Sequence, residues 1–205
     1  MSKKRVGIFG GSFSPPHKGH IHAAEIFIES EKLDTLYILP AYLSPGKTGY
    51  GNVTPEDRLA MCQLAFSHLP SVKVLDIELK RGGNSYTADT LSALYSESEE
   101  LLVLCGTDTA LALDTWYQPK VLFQLAEFVM MPREHDPALA QILSEKNKQY
   151  RTLFGGEVRM LQTDKLPMPV SSTEVRAKIK SSQTENIPLT PSVLAYILEH
   201  QLYLS

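Results

Sequence analysis

Two short segments of this 205-residue chain hold the residue types that do phosphate chemistry. The first is Gly10-Gly11-Ser12-Phe13-Ser14-Pro15-Pro16-His17-Lys18-Gly19-His20. Gly10 and Gly11 let the backbone turn and approach a ligand with no Cβ in the way. His17 lies at a predicted helix start and His20 in its first turn, with Gly19 leaving room between them. Free N–H groups and the positive end of the helix dipole attract an anion there. Imidazoles add donors without needing a fixed full charge. The same residues admit a glycine turn with surface histidines, or a zinc site on two histidines three apart. The zinc reading lacks both HExxH and a neighbouring cysteine pair. Neither GxGxxG nor the Walker lysine pattern is present, which counts against a dehydrogenase or a P-loop NTPase.

The second segment is Ser171-Ser172-Thr173-x-x-Arg176. Its hydroxyls fall at a predicted helix N-terminus, with an arginine one turn inward. Hydroxyls and free amides hold phosphate oxygens, and a guanidinium forks onto them and offsets charge on a leaving group. Taken alone, the segment reads more simply as a serine cap followed by an exposed arginine. Beside the histidine loop it reads as the other half of an anion site.

Both segments need elements to hold them, and the pattern supplies these. Strands are predicted over residues 6–9, 35–39, 72–75, 101–105, 128–131 and 158–161. Helices are predicted over about 20–32, from 54 onward, over 87–95, 136–150 and 173–180, and from 190 onward. Thr54 suits a cap, Pro55 the first helical position and Asp57 the first turn. Leu59, Cys62, Phe66 and Leu69 then recur on one face. The unbroken apolar run 101–105 fits a strand covered on both faces. Strand–helix alternation of this kind predicts an α/β fold, a doubly wound parallel sheet in a single domain over 1–205. Ligands of such sheets bind beyond the carboxyl ends of the strands. The histidine loop, Gly106-Thr107-Asp108, Pro132-Arg133 and the serine segment all follow predicted strands, so all four fall on that edge.

Bulk properties narrow the partners. A net charge of −3 gives no basic field for nucleic acid. No apolar run approaches the length of a membrane span. The basic start, Met1 to Arg5, leads into a glycine turn rather than a signal-peptide core. Cys62 and Cys105 stand apart in apolar segments, as small buried hydrophobes of a reducing compartment. The expectation is a cytoplasmic protein that holds a small anionic substrate at a local site.

The residues from Gly10 to His20 resemble the (H/T)xGH signature of the nucleotidyltransferase superfamily, and Ser171 to Arg176 resembles its SSTxxR signature. Other landmarks resemble one branch, the bacterial nicotinate-mononucleotide adenylyltransferases. These are Arg58-Leu59-Ala60-Met61, Ser85 to Leu91, Gly106-Thr107-Asp108, Trp116, and Val193 to Tyr203. The resemblance implies a Rossmann-like fold and transfer of the adenylyl group of ATP, with Mg²⁺, to nicotinate mononucleotide. It implies His17, His20 and Arg176 as catalytic residues. It implies ATP contacts from Gly10, Gly11, Ser12, Phe13, Gly19, His20, Gly106, Asp108, Arg133, Ser171, Ser172, Thr173 and Arg176. Lys47, Tyr86, Thr87, Trp116 and Tyr117 would meet the mononucleotide, its ring framed by the aromatic residues. Two departures stand out. Family members usually carry Asp or Asn in place of Ser14, and a His before the lysine where this chain has Gly46. The rivals are the nicotinamide-mononucleotide and phosphopantetheine adenylyltransferases, and a non-catalytic nucleotide sensor on the same fold. Oligomeric state stays open, a homo-oligomer included.

Overall fold

The computed structural model describes residues 3–132 and 137–204. Six strands form one sheet: β1 (Lys4–Gly11), β2 (Thr35–Pro40), β3 (Val72–Val74), β4 (Glu99–Gly106), β5 (Glu127–Met131) and β6 (Val158–Met160). Their order is β3-β2-β1-β4-β5-β6, and every pairing is parallel. Chain order therefore reverses between β1 and β4, which is the switch point of a Rossmann-like sheet.

Side chains alternate across each strand, so the apolar runs feed two cores. Leu101, Val103 and Cys105 of β4 enter one, while Leu102 and Leu104 enter the other. Val6 and Ile8 of β1 join the first. That core is covered by α4 (Thr87–Leu94), α6 (Pro119–Leu125) and α7 (Pro137–Phe154). The opposite core is covered by α1 (Lys18–Glu31), α2 (Pro55–Phe66), α8 (Ser172–Lys180) and α9 (Pro191–Glu199). Gly7 lets α1 lie close, since a Cβ there would stand 2.4 Å from a Leu33 methyl. Among the described residues no helix is long and apolar enough to cross a membrane.

Helix starts follow side-chain capping. Thr54 Oγ1 accepts the Asp57 N–H at 3.0 Å while Asp57 Oδ2 accepts the Thr54 N–H at 2.9 Å, with Pro55 in the first turn. Ser171 and Glu174 cap α8 in the same reciprocal way. Three short helices escape the sequence pattern: α3 (Ile77–Arg81), α5 (Thr107–Ala110) and α6. None exceeds two turns, so no apolar position recurs often enough to mark a face. Two longer helices extend past their expected ends. The first begins at Lys18 rather than near His20, and α7 runs on to Phe154.

Candidate active site

The ladder between β1 and β4 stops at Ile8↔Val103, although both strands run on to Gly11 and Gly106. Past that point β1 stays paired with β2 and β4 with β5. The strands thus part at the switch point, and a cleft of about 1080 Å³ opens between their carboxyl ends. Phe9, Gly10 and Gly11 line one wall, and Val103 to Gly106 the other.

At one end of the cleft stand the two histidines. His17 is the cap of α1: its Nδ1 accepts the His20 N–H at 3.3 Å, while His20 Nδ1 accepts the His17 N–H at 3.2 Å. The rings stack with centroids 3.7 Å apart. A Cβ on Gly19 would come within 3.0 Å of His17 Nδ1 and 3.1 Å of the Met168 carbonyl, so any larger residue would press on that ring and on the 168 backbone. Burial pushes His17 down to about 4, against a smaller upward pull from Glu174. Burial, with His17 adding to it, holds His20 well below its usual range. Both imidazoles are therefore neutral near pH 7. With each Nδ1 taken as an acceptor, the proton sits on Nε2. Two uncharged N–H donors result. No third His, Cys, Asp or Glu stands with them to make a metal site among the described residues.

The start of α8 faces the same end, with Ser171, Ser172 and Glu174 on the cleft wall. Its polar groups also tie the histidine loop in place. Ser172 Oγ donates to the Pro15 carbonyl at 3.0 Å, and Arg176 Nη1 donates to the Ser14 carbonyl at 2.7 Å. Arg176 Nη2 reaches Thr173 Oγ1 at 3.1 Å. Ser14 is buried, its hydroxyl 3.0 Å from that of Tyr203. Ser14 and Tyr203 thus form a buried pair of hydroxyls beneath the loop.

At the other end, Tyr86, Thr87, Trp116 and Tyr117 line the cleft, the two tyrosine rings 4.5 Å apart. Thr87 opens α4, and Tyr86 before it makes no side-chain cap, so the first amides of that helix are left for a ligand. Glu78, Ser85, Ser44 and Thr109 also line the wall. No periodicity marks these four, because each lies in a loop or a short helix.

The structure thus gathers Gly10, Gly11, His17, Gly19, His20, Gly106, Ser171 and Ser172 with the four ring-pocket residues. Thr173, Arg176, Asp108 and Lys47 stand outside the lining. Lys47 Nζ instead donates to Ser12 Oγ at 2.7 Å, within a cluster that includes Ser44 and Tyr50. Phe13 is 1% exposed, and its ring packs edge-on against His20 at 4.9 Å, so it supports the histidine from behind. Arg133 lies outside the described residues. Sequence reasoning gave Arg58 no role, yet it is fully buried and donates to the backbone of two loops at the cleft. An arginine at the fourth position of a capped helix gives no sign from sequence that it turns inward.

Residues 8–178 match the cytidylyltransferase-like family model. A Dehalococcoides mccartyi protein named "Probable nicotinate-nucleotide adenylyltransferase" is 34% identical over 210 residues, covering 99% of this chain and 98% of the relative. A protein of the same name from Lachnoclostridium phytofermentans is 32% identical, covering 98% of this chain and all of the relative. Among solved structures, the Plasmodium falciparum nicotinic acid mononucleotide adenylyltransferase complexed with NaAD superposes with a TM-score of 0.74. It covers 98% of this chain and 97% of that one at 17% identity, a likeness of fold.

Proposed function

From the premise that this chain belongs to the nicotinate-nucleotide adenylyltransferases of the cytidylyltransferase-like family, we infer that it joins the adenylyl group of ATP to nicotinate mononucleotide. A phosphate oxygen of the mononucleotide attacks the α-phosphorus of ATP. The bond from that phosphorus to the β-bridging oxygen breaks, and its electron pair leaves with pyrophosphate. No covalent enzyme intermediate is needed, so catalysis comes from positioning and electrostatics. The observation that carries the reading is the cleft's two ends. Paired Nε2–H donors and a helix N-terminus stand at one, and an aromatic pocket over a second helix N-terminus at the other.

The imidazoles of His17 and His20 donate to the triphosphate, and His20 steadies charge that gathers on the α-phosphoryl oxygens. Ser172, Thr173 and the amides opening α8 receive the departing phosphates, with Arg176 beside them. Gly106 leaves open space at the end of β4 for the nucleoside, since nothing lies within 4 Å of where its Cβ would be. Asp108 takes ribose hydroxyls. Tyr86, Trp116 and Tyr117 frame the pyridine ring, and Lys47 exchanges Ser12 for the mononucleotide phosphate. The described residues offer no cluster of metal-binding side chains, so Mg²⁺ fits as an ion carried in on the phosphates of ATP. There it would offset phosphate charge. A cytoplasmic setting suits the two buried, unpaired cysteines.

The test is pyrophosphate release from Mg²⁺-ATP with nicotinate mononucleotide, nicotinamide mononucleotide or phosphopantetheine. Turnover chiefly with the first is expected. Nucleotide binding without turnover of any acceptor would instead mark a sensor.

A further inference from the structure

We propose that Arg58 is a positioning residue that sets the phosphate-binding loop and the ring-binding loop in register with each other. This rests on the assignment of the cleft's two ends given above.

Arg58 sits in the first turn of α2 and is 0% exposed. Its Nη1 donates to the Ser12 carbonyl at 3.0 Å and to the Ala41 carbonyl; its Nη2 donates to the Tyr42 carbonyl at 3.0 Å. Ser12 belongs to the loop after β1, and Ala41 and Tyr42 to the loop after β2. The Tyr50 ring lies 4.3 Å from the guanidinium carbon, and its hydroxyl donates to Ser12 Oγ at 3.1 Å and accepts the Ser44 N–H at 3.2 Å. The same two loops are therefore joined twice, once through the cation and once through the phenol stacked on it.

Each loop leads onward to one end of the cleft. Ser12 adjoins Phe13, whose ring packs against His20. On the other side the Tyr42 N–H donates to Ser85 Oγ at 2.9 Å, and the Ser85 N–H donates to the Leu43 carbonyl at 2.8 Å. Ser85 adjoins Tyr86. One guanidinium thus connects the histidine pair, through backbone and one packing contact, with the ring pocket, through backbone and two hydrogen bonds, and it does not itself line the cleft.

The cost of this arrangement argues that it is not packing alone. Among the described residues Arg58 makes no ion pair, and its Nε is buried with no hydrogen-bond partner. An apolar side chain would fill the space without burying a charge. What only a planar fork provides is a fixed direction for several carbonyls at once. In-line transfer between two bound substrates is sensitive to displacements of an ångström.

The test uses Tyr50→Phe, Arg58→Lys and Arg58→Met in the full chain. Tyr50→Phe keeps the ring over Arg58 and removes only the hydroxyl link, so it remains informative if an Arg58 variant fails to fold. In folded variants we expect kcat to drop roughly tenfold or more, while the Kd of ATP alone and of nicotinate mononucleotide alone each change less than about threefold. Arg58→Lys should retain more activity than Arg58→Met. Amide exchange should rise in residues 11–14 and 41–44 together, with α7 unchanged. Unaltered kcat in folded variants, a loss confined to one substrate's binding, or exchange rising in one loop alone would overturn the proposal. The exchange measurement needs no turnover, so a wild-type chain inactive with nicotinate mononucleotide would count against the functional assignment and leave the joint between the loops separately tested.

Discussion

His17 and His20 cap each other: each Nδ1 accepts the other's backbone N–H, and the two rings stack at 3.7 Å. A capping box normally uses a hydroxyl and a carboxylate. Here two imidazoles take those places, so the bonds that cap the helix start also fix the tautomer of both rings.

Protonating either ring would break this arrangement, which gives a pH dependence of definite sign. His17 is lowered from 6.5 to about 4 in the folded chain, chiefly by burial, and His20 is lowered well below 6.5. The unfolded chain therefore binds protons first, and stability from these groups is complete above pH 6.5 and lost as pH falls below it. Each group should remove about 1.4 kcal/mol per pH unit once the solution is well under 6.5. Melting temperature measured between pH 7 and 5 should fall, and fall less in His17→Asn, where asparagine still caps. Equal slopes for the two proteins would mean that His17 is not held neutral.

Replacing His20 separates its chemistry from its capping. Alanine removes the donor but also the cap and the ring packed on Phe9 and Phe13, so it should cost stability of about 1 kcal/mol as well. His20→Asn keeps a short acceptor for the His17 N–H, as Asp57 does for Thr54. It should melt nearer wild type yet lower kcat roughly a hundredfold or more, because a donor aimed at transition-state charge is lost. An unchanged kcat would remove His20 from the mechanism.

Gly19→Ala tests the same pair from below. The new methyl would meet His17 Nδ1 at 3.0 Å, His17 Cε1 at 3.1 Å and the Met168 carbonyl at 3.1 Å. Either the ring or the 167–170 segment must shift, and both line the phosphate end. A kcat loss of about tenfold or more with a modest change in melting temperature is expected. Wild-type kinetics would show that the ring has freedom to move aside.

How much of this was legible beforehand follows element length and partner distance. The continuous run of β4 marked the sheet and the histidine loop after β1 its cleft edge, because both are local patterns; Gly10 and Gly11, expected in a turn, instead end β1 as extended strand paired with β2. The cap at Thr54 was equally plain. The reciprocal bonds of His17 and His20 were not, since nothing in an HxGH spacing says which nitrogen faces the backbone. Arg58 was opaque for a different reason. Its partners lie 46, 17 and 16 residues away, and only the closed fold brings those carbonyls around one side chain. Ser14 stood out in sequence only as a departure from the family's Asp or Asn, whereas the structure pairs its hydroxyl with that of Tyr203, 189 residues on.

Arg176 stands at that junction. Its guanidinium joins the Ser14 carbonyl to Thr173 Oγ1, and a lysine ammonium cannot reproduce that planar fork. Arg176→Lys should loosen the loop between Gly11 and His17 and weaken charge compensation on the leaving group. The loss is expected in the kinetics of ATP and, in reverse, of pyrophosphate. Varying each substrate in turn would show it. A change confined to the mononucleotide KM would place Arg176 at the wrong end of the cleft.

Nicotinate mononucleotide should be used much better than its amide. The two differ only in carboxylate versus carboxamide on the ring, so the pocket must discriminate through charge and donors. Among the described residues lining the cleft there is no lysine or arginine, so no side-chain cation does the work there. The amides at the start of α4 remain, with no side-chain cap from Tyr86 to occupy them. One group opposes them. Glu78 lines the same wall, but burial pushes its carboxyl up, and Thr90 donates to it at 2.7 Å, which draws its charge away from the ring. A carboxylate accepts from both sides, whereas a carboxamide must turn its NH₂ toward one set of donors. Hydrogen bonds to a charged group are worth about 1.5–3 kcal/mol each, so losing one and opposing two donors should cost tenfold or considerably more. The measurement is kcat/KM for the two mononucleotides at saturating Mg²⁺-ATP. A ratio near one, or one favouring the amide, would remove the α4 amides as the source of selectivity and leave the broader adenylyl transfer standing.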